Sequence, residues 1–252
     1  MTGSGGQLAG KVALITGAVR RNGRAMAHAL AREGAAIVVN TRRSKDEAEK
    51  VRGEIEGMGG QALVCIADIT DETAVARMFG EIEKRFGRVD ILVNNAADRH
   101  QAPFEKMTAA EWRGNLGIVL DGAFFCSRAA IPHMLKNGWG RIVNISGAGH
   151  HMASYVGRAH VAAGKAGLEG LTRALAVEYA TRNITVNCVS PGRVGGERSK
   201  SAGTAPNPEM VPPIGRTGVP EDISAAVHFL CLPAASFITG QVLHVNGGQF
   251  LP

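Results

Sequence analysis

Lys11-Val-Ala-Leu-Ile-Thr16-Gly17-Ala-Val-Arg20-Arg21-Asn22-Gly23-Arg24 is the stretch on which the fold turns. A short apolar run, rich in β-branched residues, ends in a glycine-containing turn, and a helical pattern follows over residues 24–33. That order reads as strand, tight turn and helix N-terminus, the arrangement that aims backbone N–H groups and the helix dipole at a phosphate. Outward from it the alternation continues. Residues 36–40 make a second strand. Ser44 opens a helix with Glu47 three residues on as a capping box, and Ala48, Val51 and Ile55 supply its buried stripe. Residues 61–67 are a third strand, Val75, Met78, Phe79, Ile82 and Phe86 mark the next helix, and residues 90–95 are a fourth strand. A long helical stretch over 109–136 precedes a fifth strand at 141–146. Leu168, Leu171 and Leu175 recur at helical spacing before strands at 184–189 and 241–245. Strands that alternate with helices and carry few polar interruptions imply a parallel sheet covered on both faces.

The expected architecture is therefore α/β: one doubly wound domain over residues 10–252, with a seven-stranded parallel sheet and helices on both faces. Residues 1–9, rich in glycine, read as a flexible arm. Of 252 residues, 33 are Gly, without the three-residue period of collagen, and 45% are hydrophobic, which excludes wholesale disorder. No run of about 18 uncharged apolar residues occurs, so no membrane span is expected. The start carries no basic-then-apolar leader pattern. Cys65, Cys126, Cys188 and Cys231 lack metal or redox spacing and read as buried free thiols, so a cytoplasmic protein is expected. The net charge of +6 suits an anionic ligand; the basic residues are scattered rather than gathered with aromatics, so nucleic acid is not an expected partner.

The ordered motifs resemble those of the short-chain dehydrogenase/reductase family over nearly the whole chain. Thr16-Gly17 to Gly23 matches its Thr-Gly-x-x-x-Gly-x-Gly turn, with Arg21 where the family has its middle glycine. Asn94-Asn95-Ala96-Ala97 follows strand four, Pro191-Gly192 follows strand six, and Arg216 to Asp222 and Ile238 to Gly248 close the pattern. A Rossmann-type fold and a nicotinamide cofactor are what the resemblance implies. An NAD-selecting site carries Asp or Glu at the end of strand two. Thr41, Arg42 and Arg43 stand there instead, and Arg20 matches a basic position of NADP-preferring members, so the expected cofactor is NADP(H). The same resemblance puts Asp68 and Ile69 at the adenine and Asn95 and Ala96 at the ribose. Gly17, Arg20, Arg21, Asn22 and Gly23 would meet the phosphates, and Lys165, Pro191, Gly192 and Val194 the nicotinamide end.

Carbonyl reductases of the family use Asn, Ser and a Tyr-x-x-x-Lys pair. Residues four apart on a helix share a face, so the ammonium can lower the phenol pKa. Here Lys165 is present, but Val161 fills the tyrosine position, Gly147 the serine position (Ser146 is one place early) and Val119 the asparagine position. Of the two tyrosines, Tyr179 lies late on the long helix and Tyr155 is out of register with Lys165. Arg158, seven residues before Lys165, is placed to form a joint anion site with it, where the enoyl-reductase branch has its tyrosine. His-x-x-x-x-Lys and Ile118 to Gly122 resemble the dienoyl-CoA reductases. Asp98, Arg99, His100, His150, His151, Tyr155 and Arg193 all follow strand ends and converge on the expected mouth. His150 and Tyr155 are the candidate proton donors beside Lys165. No metal is expected, because His150-His151 has no third ligand at zinc-like spacing, and His160 reads as packed or peripheral.

The leading expectation is an NADP(H)-dependent oxidoreductase transferring hydride to a C=C or activated C=O of a small or acyl-thioester substrate, without the usual tyrosine. One alternative is a non-catalytic NADP(H)-binding sensor or inert partner subunit; another is a 3-ketoacyl-type carbonyl reductase using Tyr155. Residues 194–214 are the expected substrate lid, and the resemblance implies a homotetramer.

Overall fold

Seven strands join in one sheet in the order β3-β2-β1-β4-β5-β6-β7, every pair parallel. They are β1 (Val12–Ile15), β2 (Ala36–Thr41), β3 (Ala62–Ile66), β4 (Ile91–Asn94), β5 (Gly140–Ile145), β6 (Ile184–Pro191) and β7 (Val242–Val245). The computed structural model describes residues 6–152, 156–195 and 211–252. Five of the seven strands bury nearly all of their side chains, which is why they read as continuous apolar runs rather than as alternating ones. The two edge strands, β3 and β7, are only partly buried. The doubly wound reading holds in full.

Helices α1 (Arg21–Arg32), α2 (Lys45–Gly57), α3 (Glu72–Phe86), α4 (Ala109–Leu116), α5 (Gly122–Asn137), α6 (Ala159–Tyr179) and α7 (Pro220–Cys231) cover the two faces. The predicted stripe of α2 is the observed one: Ala48, Val51 and Ile55 are its buried residues. The capping box is not. Ser44 is the N-cap of α2, but its side chain makes no capping hydrogen bond. Asp71 caps α3 instead by accepting from the N–H groups of Thr73 and Ala74, and Gly87 ends it in the left-handed region at φ 72°. The sequence pattern missed α7, which packs on α1. It begins with Pro220, whose fixed φ suits a first helical position, and Asp222 accepts from the Val219 N–H.

One further expectation is corrected. The described part of the arm is not loose: Leu8 is fully buried in the core, and its N–H donates to the Glu33 carbonyl at 2.9 Å. The helical stretch Ala109–Asn137 is continuous through a π-helical turn at Gly117–Asp121, and by length and average hydropathy it could cross a membrane. Its charged residues interrupt any uncharged run, and it packs against α6, α3 and the strands β4 and β5 as a covering helix of the sheet.

Strand order reverses direction between β1 and β4, and a cleft opens there, at the C-terminal ends of the strands. The strands are locked together at that point. Thr16 Oγ1 accepts from the N–H groups of Asn95 (2.9 Å) and Ala96 (3.0 Å), and Asn95 Nδ2 returns hydrogen bonds to the carbonyls of Thr16 and Gly17. Behind it, Asn94, Asn144 and Thr172 form a buried polar ladder across β4, β5 and α6 at 2.8 Å per step. Each member would be costly to bury alone; paired, they fix the register of β4, β5 and α6.

Candidate active site

The cleft encloses about 1220 Å³. Its floor is the turn after β1. Gly17 has φ +63°, and a Cβ on Gly23 would lie 2.3 Å from the Gly17 carbonyl oxygen and 2.8 Å from Asn95 Nδ2. No other residue type fits at position 23 without moving backbone. Above this floor the N-terminus of α1 carries no acidic residue in its first turn and no side-chain cap. Asn22 is buried, with its Oδ1 unpartnered among the described residues. Open N–H groups and a helix dipole make a cradle for a phosphate or pyrophosphate.

Arg21 adopts φ 46°, a conformation that favours glycine, at the position where the family turn has one. Its guanidinium donates to the carbonyls of Val194 (2.7 Å) and Gly195 (2.9 Å). The backbone thus keeps the glycine geometry while the side chain clasps the segment that follows β6. Two charge-assisted hydrogen bonds offset a strain of about 1–2 kcal/mol.

Further along the cleft stand Asn40, Thr41 and Arg42 at the end of β2, and Asp68, Ile69 and Thr70 after β3. Arg42 is half-exposed and lies 3.8 Å from Asp68, whose other oxygen accepts from Thr70. No carboxylate occupies the end of β2 itself. At the other end, Asn95 to His100, the first turns of α4 and His160 complete the wall. There Thr108 and Glu111 form a true capping box for α4, and Glu111 also meets His100 Nε2 at 3.1 Å.

Of the residues expected to hold a cofactor, Gly17, Arg20, Arg21, Asn22, Gly23, Thr41, Arg42, Asp68, Ile69, Asn95 and Ala96 line this one cleft. Arg43, Lys165, Pro191, Gly192 and Val194 do not. Gly192 is required for a different reason: a Cβ there would strike Gln249 and Asn246 of the C-terminal turn. Arg158 is not on the helix at all. It precedes α6, and its guanidinium reaches the side-chain oxygen of Gln101 at 3.0–3.1 Å, so the helical-face argument for an Arg158–Lys165 pair fails. Tyr155 and most of the 194–214 segment lie outside the described residues.

Lys165 is buried, and its ammonium donates to the Ile145 carbonyl. Burial, reinforced by the charge of Arg99, lowers its pKa from 10.5 to about 8. The folded value lies below the unfolded one, so between pH 8 and 10.5 the unfolded chain holds a proton that the folded chain has shed. Stability therefore rises with pH through that window, by about 3 kcal/mol, and the cost of the buried charge is fully present below pH 8. Lys165→Met is expected to abolish this rise and to be more stable than the parent at pH 7. Urea unfolding at pH 7 and pH 10 checks it.

His150 and His151 turn away from the cleft. Their Nε2 atoms lie 3.0 and 3.1 Å from Glu169 Oε1, which also accepts from Ser146 Oγ at 2.8 Å. Burial alone would raise the Glu169 pKa, but the hydrogen bonds from His150, Ser146 and His151 overcome it and hold the carboxyl at about 2. His150 therefore belongs to this second cluster rather than to the cleft, against its expected role as proton donor. Ser146 is committed to the same carboxylate. Glu169 is the third His/Glu ligand type that spacing along the sequence did not offer.

His160 is packed, as expected, but not peripheral to the cleft. It is 1% exposed, forms part of the cleft wall, and neither ring nitrogen has a hydrogen-bond partner among the described residues. Burial, then the neighbouring His100, lowers its pKa below 6.5, which favours the neutral ring. Side chains in a first turn tilt toward the helix N-terminus, and α6 begins at Ala159, so His160 reaches the cleft.

The chain matches the family model described as enoyl-(acyl carrier protein) reductase over residues 17–249. The chain is a member of the short-chain dehydrogenase/reductase family. It is 36% identical over 245 residues to the 3-oxoacyl-(acyl-carrier-protein) reductase of Synechocystis sp., covering 97% of this chain and 98% of that one. Identity to the corresponding reductase of Aquifex aeolicus is 38%, with 97% and 99% covered. A crystal structure of a dehydrogenase/reductase from Sinorhizobium meliloti superposes with a TM-score of 0.88 at 35% identity, over 96% of this chain and 95% of that one. Family membership makes this chain an oxidoreductase of the short-chain type.

Proposed function

We propose that the protein is an NADP(H)-dependent reductase of an activated carbonyl in an acyl-thioester substrate, working without a tyrosine one helical turn before its lysine. The single observation that carries this reading is the cleft itself. A phosphate cradle at Gly17–Gly23, an acid-free strand end with Arg42, and a buried, unpartnered imidazole at its far wall lie along one cavity.

The residues present fit a dinucleotide. Gly23 lets the turn close where a Cβ would strike the Gly17 carbonyl, the α1 N-terminus offers backbone donors, Asn22 an acceptor for a hydroxyl, and Arg42 and Arg20 stand where a 2′-phosphate would need positive charge. When bound, the dihydronicotinamide supplies a hydride. The chain's own task is to hold the substrate carbonyl and stabilise the oxyanion that forms. His160 donates an N–H to that oxygen as a neutral imidazole, and the alkoxide takes its proton from water at the cleft mouth. Val161, buried on the next position of α6, cannot do this.

The names of the relatives in Synechocystis and Aquifex favour a 3-oxoacyl substrate. The description of the matching family favours a second reading, reduction of an enoyl thioester, in which the same imidazole would polarise the thioester carbonyl. NADPH oxidation with 3-oxoacyl, enoyl and dienoyl thioesters tests both. The expected result is turnover with the 3-oxoacyl compound and at least tenfold less with the others. Tight NADPH binding with no turnover on any of them would instead favour a sensor or inert partner subunit.

A further inference from the structure

Outside the cleft, the segment after β5 and the middle of α6 bring three side chains to one point. One ring nitrogen each of His150 and His151 and one carboxylate oxygen of Glu169 all lie within 4.8 Å of one another. His150 and Glu169 are 6% and 4% exposed at the side chain, and His151 is 23% exposed. We propose that His150, His151 and Glu169 form a binding site for one divalent transition-metal ion of the zinc class.

Three observations carry it. The first is spacing. The two nitrogen–oxygen separations, 3.0 and 3.1 Å, are close to the edge of about 3.3 Å of a tetrahedron whose metal–ligand bonds are about 2.0–2.1 Å. The second is crowding. Glu169 Oε1 faces Ser146 Oγ and both imidazoles, three donors for one oxygen, while Oε2 lies 3.8 Å from the Arg173 guanidinium. A single cation at the convergence replaces two of those proton contacts, with each ring carrying its proton on Nδ1. The third is support. His151 is stacked on Phe250 at 4.8 Å and meets the His244 ring edge-on at 5.0 Å, and His150 packs on His151 at 3.9 Å. The ligating rings are therefore held in place by packing.

Two imidazoles and a carboxylate select zinc, cobalt, nickel or iron(II) over magnesium or calcium, which prefer an all-oxygen shell. Three protein ligands leave a fourth position for water. The ion would tie the segment after β5 to α6 without touching the dinucleotide cradle, so this site stands independently of the proposed reaction.

Untagged full-length protein, stripped with a chelator, is titrated with Zn²⁺ against a chromophoric competitor and with Co²⁺ by visible absorption. The expected result is one ion per chain, intense Co²⁺ absorption of a low-coordinate site, and a Zn²⁺-dependent rise in Tm. His151→Asn is expected to weaken Zn²⁺ binding at least about 100-fold and to lose the Tm rise; His133→Asn, on α5, is expected to keep both. His150→Asn repeats the test if His151→Asn fails to fold in chelator. Absence of stoichiometric binding by the parent protein, or unchanged affinity in the folded ligand variants, overturns the proposal.

Discussion

His160→Phe is expected to lower kcat at least about 100-fold while leaving the NADPH Kd within about twofold. Removing a single donor to a developing oxyanion costs about 10²–10³ in rate in sites of this kind. The selectivity follows from position: His160 lies at the far wall from the Gly17–Gly23 cradle and from Arg42, so the dinucleotide contacts survive the change. Phe fills the volume without an N–H, whereas His160→Gln keeps a donor and is expected to recover part of the rate. The pH profile separates a chemical role from a packing one. Burial lowers the His160 pKa below 6.5, and the neutral ring is the working form. Activity should hold as pH falls to 6.5 and decline below it, and His160→Phe should lose that limb. An unchanged limb in the variant would assign it to another group.

Arg42→Glu is expected to raise the NADPH Kd by at least about 100-fold and to bring NADH to equal or better affinity. A guanidinium gripping a phosphate contributes about 1.5–3 kcal/mol, and a carboxylate in its place adds repulsion of the 2′-phosphate while offering an acceptor to a ribose 2′-OH. Arg42 also sits 3.8 Å from Asp68, so the new carboxylate would face a like charge. Arg42→Gln isolates the loss of attraction and should shift NADPH alone, by about tenfold. Equal NADPH and NADH affinity in the parent would contradict the assignment of Arg42 to the 2′-phosphate.

What the sequence made legible follows from periodicity. Ala48, Val51 and Ile55, or the unbroken run Val12–Ile15, could be read because burial on a fixed period leaves a trace in residue type. Ends and local bonds were less readable. Ser44 has the spacing of a capping box and makes none, while Thr108 and Glu111 have it and do. Leu8 was lost among glycines because one apolar residue carries no period, yet it is fully buried.

The site divides in the same way. The phosphate cradle was legible because Gly23 has no sterically allowed substitute and the turn is local. Glu169 was not, since eighteen residues and a loop separate it from His151 and only the packing of α6 on β5 brings them together. His160 reads as packed and is, but its place in the cleft wall follows from the start of α6 at Ala159, which no residue spacing marks. Arg21 kept a glycine conformation that its side chain disguises.

The central claim is hydride transfer to a carbonyl carbon in a site with Val161, not tyrosine, one turn before Lys165. The most direct measurement follows deuterium from C4-deuterated NADPH into the product of a 3-oxoacyl thioester, by mass spectrometry and NMR. The account predicts a 3-hydroxyacyl product with one deuterium on C3, formed by the parent and lost in His160→Phe. Deuterium appearing only in a saturated thioester formed from an enoyl substrate, or no transfer to any acceptor, would contradict it.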